Sequence, residues 1–200
     1  MCSSDLEETG IPLMAAIPEA RRALEDVGLV DEVDLVVAGG IRNGGDVAKC
    51  LALGAKACAI GTAALMALNC NKHIEGVTDY EGTIGVPAGE CYHCHTGRCP
   101  VGIATQDPEL RARLDVDEAA LRVYNFLHTL TMEVQLLARA CGKTNVHNLE
   151  PEDLAALTHE ASAMAKVPLA GTTYIPGVSE ERVLAEMKEM LAKQIAGSRS

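Results

Sequence analysis

Three cysteines lie close together near the middle of the chain, in Cys91-Tyr92-His93-Cys94-His95-Thr96-Gly97-Arg98-Cys99-Pro100. Their C-x2-C-x4-C spacing places three thiols in a short segment that glycine and proline force to turn. Thiolates from such a loop can bind an iron–sulfur cluster, and a proline after the last cysteine is typical of cluster loops. Zinc is the alternative, because C-x2-C with nearby histidines suits a tetrahedral site, but no second C-x2-C or H-x3-H pair accompanies it. The spacing favours a cluster over zinc, and either metal site over disulfides or unliganded thiols.

The composition is typical of a globular protein with reduced thiols. Eight cysteines in 200 residues are too few for a secreted disulfide scaffold, and no stretch has the pattern of a signal peptide. Apolar residues make up 48% of the chain, but no apolar run is long enough to span a bilayer. The net charge of −11 argues against nucleic-acid binding, which needs clustered Lys and Arg. We therefore expect a cytoplasmic protein with no membrane and no nucleic-acid partner.

Two predicted strands precede the cysteine loop, and each ends in a glycine turn. Residues 33–38 end at Gly39-Gly40, and residues 57–60 end at Gly61-Thr62. Helical spacing predicts helices around them, over residues 17–27, 45–54 and 63–68. The strand–helix–strand order predicts an α/β fold with a parallel sheet.

The two glycine turns could bind a phosphate. In a (β/α)8 barrel, the loops after the last two strands commonly hold a phosphate with backbone N–H groups. Glycine at Gly39, Gly40 and Gly61 lets a phosphate approach the backbone, and the Thr62 hydroxyl can donate to it. The alternative is that both are ordinary tight turns between a strand and a helix.

The remaining segments are predicted from turns and helical spacing. Residues 71–90 are polar and glycine-bearing, which indicates a surface loop leading into the cysteines. Helices are predicted over 117–140, from Pro151 to Met164, and over 179–195. Residues 1–6 resemble translated adapter sequence, so we expect residues 1–8 to be a non-native leader.

Three motifs in this order resemble the FMN-binding domain of glutamate synthase. They are Val37-Ala38-Gly39-Gly40-Ile41-Arg42, Gly61-Thr62-Ala63-Ala64-Leu65, and the segment from Cys94 through Cys99-Pro100-Val101-Gly102-Ile103-Ala104-Thr105-Gln106 to Asp107. The similarity covers residues 9 to roughly 160. It implies the C-terminal portion of an FMN-binding (β/α)8 TIM barrel, followed by a cysteine-rich cluster loop and C-terminal helices. The implied segments are residues 9–70 for the last βα units, 71–110 for an insertion and the cluster loop, and 111–200 for the helical region.

The resemblance also assigns cofactor residues. Gly39, Gly40, Gly61 and Thr62 match FMN phosphate contacts. Cys94 and Cys99 match the second and third cluster ligands, and Cys91 is the nearest thiol that can act as the first. The family's own first cysteine corresponds to Cys70, which an insertion places far upstream of Cys94. Three ligands imply a 3Fe–4S cluster, and a contribution from Cys70 would permit 4Fe–4S.

The implied activity is the reductive amination of 2-oxoglutarate to L-glutamate with ammonia derived from glutamine. It implies an outside electron donor, either ferredoxin or a nicotinamide-using flavoprotein subunit, and a glutaminase domain or subunit. No catalytic residue is assigned. Two alternatives stay open, an N-methylglutamate synthase-like oxidoreductase and a non-redox phosphate-binding barrel with a zinc loop.

Overall fold

The computed structural model describes residues 10–74, 76–87 and 91–178. Contacts divide the chain into two units, Met1–Leu149 and Glu150–Ser200, which are described separately below. The predicted leader and the predicted helix over residues 179–195 lie outside the described residues. Among the helices that the structure describes, none combines the length and the apolar character needed to cross a membrane.

A strand–helix–strand–helix unit follows the first helix, α1 (Leu13–Asp26). It consists of β1 (Val36–Ala38), α2 (Gly44–Ala52), β2 (Ala57–Ala59) and α3 (Thr62–Ala67). The two strands pair in parallel, with Val36 opposite Ala57 and Ala38 opposite Ala59. The predicted parallel βαβ order is therefore confirmed, and each glycine turn directly follows its strand.

Strand β1 is shorter than the predicted strand over residues 33–38. The N–H of Val33 donates to the carbonyl oxygen of Leu29, which keeps this part of the chain in a turn. Helix α1 begins at Leu13, four residues before the predicted start at residue 17, so that Pro18 lies inside the helix. Because proline has no N–H, this position cannot donate a helical hydrogen bond.

The cysteine region contains short helical turns rather than a continuous surface loop. Helix α4 (Tyr80–Ile84) starts at Asp79, whose side chain accepts a hydrogen bond from the N–H of Gly82. A 3-10 turn, His93–His95, lies within the cysteine segment itself. Helix α5 (Pro108–Arg111) follows, capped by Asp107. The prediction of a surface loop over 71–90 is thus wrong at α4, where the chain is helical.

The long helix α6 (Val116–Ala140) confirms the helix predicted over residues 117–140. It packs against α2 and α3 and buries Ala119, Val134 and Ala138. Several large apolar side chains of the predicted periodic set are exposed instead: Leu121, Tyr124, Leu127 and Leu137. A 3-10 turn, Val146–Asn148, packs against α2 and α6 and ends the unit.

The second unit does not contain the helix predicted from Pro151 to Met164. A 3-10 turn, Pro151–Asp153, is closed by reciprocal hydrogen bonds between Glu150 and Asp153. The chain then extends, and the N–H of Ala156 donates to the carbonyl oxygen of Pro168. Helix α7 (His159–Ala165) begins only after Thr158, whose side chain caps it. The prediction was wrong because this cap and the Ala156 pairing interrupt a helical spacing of apolar residues.

Candidate functional site

A large cleft lies beside the two glycine turns. It has a volume of about 1290 Å³ and is lined by both turns, by α3 and by α6. All four predicted phosphate-contacting residues line it: Gly39, Gly40, Gly61 and Thr62. The structure therefore brings together residues that are about twenty positions apart in sequence, because parallel strands end at the same edge of a sheet.

The glycines of these turns leave open space toward the cleft. Gly39 and Gly40 have φ angles of +128° and +65°, a backbone conformation that favours glycine. A Cβ built on Gly39, Gly40 or Gly61 would meet no heavy atom within 4 Å. A ligand can therefore approach the backbone at three positions, which fits a phosphate group.

The first turn is anchored by Asp46 near the start of α2. Its carboxylate accepts hydrogen bonds from the Arg42 backbone N–H at 3.1 Å and from Lys49 Nζ at 2.9 Å. Burial alone would raise the pKa of Asp46, but its hydrogen bonds with Lys49 and Arg42 outweigh that effect and lower it. Asp46 is thus a buried, ionised anchor for the chain just after Gly40.

Helix α6 contributes residues to the cleft that the sequence interpretation did not find. Arg122, Asn125 and Phe126 line it together with Arg42 of the first turn. Their positions on one helix suggest a shared face, since 122 and 126 are four residues apart. Nothing in the sequence spacing, however, indicates that this helix returns to the glycine turns.

A second, smaller cavity lies in the cysteine region. It has a volume of about 180 Å³, and its lining includes Cys70, Cys91, Pro100 and Val101. Cys99 is 5% exposed and packs in a small core with Ile74 and Val101. Cys91 is half-buried and Cys94 is exposed.

Two of the four thiols of this region, Cys70 and Cys91, line the same cavity. Burial raises the pKa of the Cys70 thiol, and Cys94, Cys99 and Cys91 raise it further. Yet in the described ranges, no three His, Cys, Asp or Glu side chains form a group that could hold a metal ion. The donor set has the thiol chemistry that an iron–sulfur cluster requires, without being arranged as a metal cage.

Side chains hold the cysteine segment against its neighbours. His93 Nε2 lies 2.6 Å from the carbonyl oxygen of Ile84, at the end of α4. The buried Thr105 hydroxyl donates to the carbonyl oxygen of Gly97. Arg113 donates to the carbonyl oxygen of Pro100 at 2.8 Å. The backbone on both sides of Cys94 and Cys99 is thereby fixed.

Cys50 and Cys58 form a separate pair between α2 and β2. Cys50 is fully buried, and burial followed by its interaction with Cys58 raises its pKa to about 12. Burial raises the pKa of Cys58 as well. Protonated buried thiols are poor ligands and poor nucleophiles, so this pair belongs to the core.

The short helix α3 connects the cleft to the cysteine cavity. Thr62 and Leu65 line the cleft, whereas Cys70 lines the cavity. The N–H of Cys70 donates to the carbonyl oxygen of Leu65 at 3.1 Å. The two sites are therefore neighbours along the chain and are linked by a backbone hydrogen bond.

Comparison with known proteins agrees with this arrangement. A glutamate synthase large subunit-like protein from Rhizobium meliloti (strain 1021) is 55% identical over 173 residues, covering 86% of this chain and 38% of the relative. An archaeal glutamate synthase (NADPH) from Methanocaldococcus jannaschii is 38% identical over 143 residues, 72% of this chain and 24% of the relative. A ferredoxin-dependent glutamate synthase from Pyropia yezoensis is 32% identical over 132 residues, 66% of this chain and 7% of the relative.

The chain spans 38% or less of the length of these three relatives. A family model described as a conserved region in glutamate synthase matches residues 3–144. That range contains the glycine turns, the cysteine segment and α6. By this match, the chain belongs to the glutamate synthase family.

Proposed function

We propose that this chain contributes the C-terminal part of an FMN-binding (β/α)8 barrel and an iron–sulfur cluster loop to a glutamate synthase. The reaction would combine 2-oxoglutarate, glutamine-derived ammonia, two electrons and two protons to give L-glutamate and water. Family membership and the parallel βαβ unit support this proposal. A complete barrel needs about 250 residues, so we assign no residue of this chain to 2-oxoglutarate.

The cleft supplies the proposed FMN phosphate site. Gly39, Gly40 and Gly61 leave backbone accessible, and Thr62 adds a hydroxyl to the same cleft. Backbone N–H groups can donate to phosphate oxygens without a charged side chain. The cleft of about 1290 Å³ beside both turns leaves room for a ligand at their backbone, which favours a phosphate site over ordinary turns.

The cysteine region supplies the proposed cluster site. Cys91, Cys94 and Cys99 would be the ligands of a 3Fe–4S cluster, and Cys70 is the fourth thiol that would permit 4Fe–4S. Cys70 and Cys91 line one cavity, and Cys99 packs with Val101 of its lining, which supports a shared site. When bound, FMN supplies two-electron reduction and the cluster supplies single-electron transfer.

The observation that carries the proposal is the link through α3. This helix follows Gly61 at the cleft, and Cys70, three residues beyond its end at Ala67, donates its N–H to the carbonyl oxygen of Leu65. A cluster and a flavin must lie close together for electrons to pass between them. In this chain, ten residues join the two proposed sites.

The proposed electron donor is ferredoxin or a nicotinamide-using flavoprotein subunit. The name of the Methanocaldococcus jannaschii relative includes NADPH, and the Pyropia yezoensis relative is named as ferredoxin-dependent. Glutamine hydrolysis would be the task of a separate glutaminase domain or subunit, which would release ammonia for the reductive step.

The test is chemical analysis of the anaerobically purified protein. We expect flavin absorbance together with iron and acid-labile sulfide. Stoichiometric zinc without flavin would overturn the redox proposal and favour the non-redox barrel with a zinc loop. Flavin without iron would overturn the assignment of the cysteine loop alone.

Single cysteine substitutions assign the ligands. Cys94→Ser and Cys99→Ser should each abolish bound iron, and Cys91→Ser should do so if it is the first ligand. Cys141→Ser is the matched control, because Cys141 is an exposed thiol that follows α6. Loss of the cluster in Cys70→Ser but not in Cys91→Ser would replace Cys91 by Cys70 in the ligand set.

A further inference from the structure

The charges around the cleft differ from those of the chain as a whole. The chain carries a net charge of −11. Yet in the part of the chain that the structure describes, the charged residues that line the cleft are both arginines, Arg42 and Arg122. A cleft with two cationic and no anionic lining side chains favours an anionic ligand.

The two arginines differ in the carboxylate that each would have to leave. The side chain of Arg42 is 80% exposed and its Nε lies 3.4 Å from Asp46, whose side chain is only 10% exposed. Arg122 donates from Nε, at 3.1 Å, and from Nη2, at 2.6 Å, to Oε1 of Glu118 on the same helix. The side chains of Arg122 and Glu118 are 48% and 57% exposed, and exposed ion pairs of this kind contribute little. Arg122 can therefore turn toward a dianion at small cost.

We propose that Arg122 binds the phosphate of the flavin cofactor, so that α6 forms part of the cofactor site. This inference rests on the proposed function. The glycine turns offer neutral backbone donors, whereas a phosphate monoester carries close to two negative charges. Arg122 supplies a guanidinium group, whose planar donors match phosphate oxygens. Helix α6 thus has a second task besides packing on α2 and α3.

The test separates the phosphate from the rest of the flavin. FMN and riboflavin share the ring and the ribityl chain, and only FMN carries the phosphate. Titration with each flavin of the complete protein to which this chain is proposed to contribute, followed by flavin fluorescence, gives two dissociation constants per variant. We expect Arg122→Gln to weaken FMN binding about tenfold or more and to change riboflavin binding by less than about twofold.

Two further variants serve as controls. Arg139→Gln removes the same charge from the same helix, about 25 Å further along its axis. It should leave both flavin affinities unchanged. Glu118→Gln removes the present partner of Arg122, and FMN binding should then stay the same or strengthen. Circular dichroism melts establish that all variants remain folded. Arg122→Lys keeps the positive charge but removes the guanidinium group.

The outcomes distinguish this inference from the proposed function. FMN binding to the wild type with no selective loss in Arg122→Gln would overturn the role of Arg122 and leave the FMN proposal standing. Equal losses in Arg122→Gln and Glu118→Gln would also overturn it, because they would trace the effect to the ion pair and the helix. Failure of the complete wild-type protein, with the whole barrel, to bind FMN would overturn both proposals.

Discussion

The helices around the cleft are packed through buried side chains, whereas the cysteine segment is fixed mainly by hydrogen bonds to backbone carbonyls. Helix α2 buries Cys50, Leu51 and Ala52 against its neighbours. In the described part of the cysteine region, the buried core cluster contains Ile74, Cys99 and Val101, and five partly buried hydrophobic residues pack against it: Val77, Tyr80, Ile84, Ile103 and Ala104. Under the proposed function, a bound cluster would add to the stability of the cysteine region, since metal binding contributes folding energy.

We expect metal removal to produce the largest difference between the cysteine region and the helices around the cleft. Chelating the metal from the anaerobic holoprotein should raise amide hydrogen exchange over residues 91–107 by about tenfold or more, because local opening would lose the metal–ligand bonds. Exchange in α2 and α6 should change by less than about twofold. Hydrogen-exchange mass spectrometry measures both regions in one experiment. A uniform increase along the chain would show that the two regions are not independently stabilised.

Tight helix packing predicts the next largest effect, at Gly44. A Cβ at this position would lie 2.6 Å from the carbonyl oxygen of Leu130 and closer still to the Cβ of Glu133. The N–H of Gly44 also donates to Glu133 Oε2 at 2.7 Å. Gly44→Ala should therefore lower the free energy of unfolding by about 1–3 kcal/mol, because α2 and α6 must move apart.

The control for Gly44 is its neighbour Gly45. A Cβ there would meet only the Asn43 side-chain oxygen, at 3.2 Å, and alanine is favoured over glycine in a helix. Gly45→Ala should change the free energy of unfolding by less than about 0.5 kcal/mol, in either direction. Urea denaturation compares the two variants. Equal destabilisation would mean that the close approach of α2 and α6 is not what holds the cleft region.

A buried hydrogen bond in the cysteine region predicts a smaller effect. The Thr105 hydroxyl donates to the carbonyl oxygen of Gly97 and accepts from the N–H of Asp107. Thr105→Val keeps the shape of the side chain and removes both hydrogen bonds. It should lower the free energy of unfolding, measured by urea denaturation, by about 1–2 kcal/mol. Thr96 makes the same two kinds of bond, with His93 and Arg98, but is exposed. Thr96→Val should cost less than Thr105→Val because water replaces its bonds, and an equal cost would contradict the distinction.

The two regions also differ in what their sequence revealed. The glycine turns were predicted together because strand, glycine pair and helix recur in order, and parallel pairing places both turns at one edge. The contribution of Arg122 and Phe126 could not be predicted, since it depends on how α6 packs after sixty intervening residues. The cysteine spacing indicated a thiol site, but spacing alone does not show that Cys70 and Cys91 line the same cavity.

Side-chain capping at helix ends explains the error in the helix predicted from Pro151 to Met164. The helix predicted from Pro151 rested on apolar spacing, and the structure ends it early through the Glu150–Asp153 cap and restarts it after Thr158. Local capping by polar side chains thus overrides an apolar period of marginal length. Helix α6 was predicted correctly because its period extends over 25 residues, long enough to dominate such local competition.

Acid should produce the smallest effect, through Asp46 in the cleft region. Its folded-state pKa is lowered, because hydrogen bonds with Lys49 and Arg42 outweigh the opposing effect of burial. A lowered pKa contributes stability that is complete above the unfolded-state value of about 4 and is lost as the pH falls through the folded-state value. Asp46→Asn should therefore lower the free energy of unfolding by about 1 kcal/mol at pH 7. This difference from the wild type should shrink as the pH falls below about 4, as followed by urea denaturation at each pH. A difference that stayed constant down to acid pH would assign the effect of the substitution to packing rather than to charge.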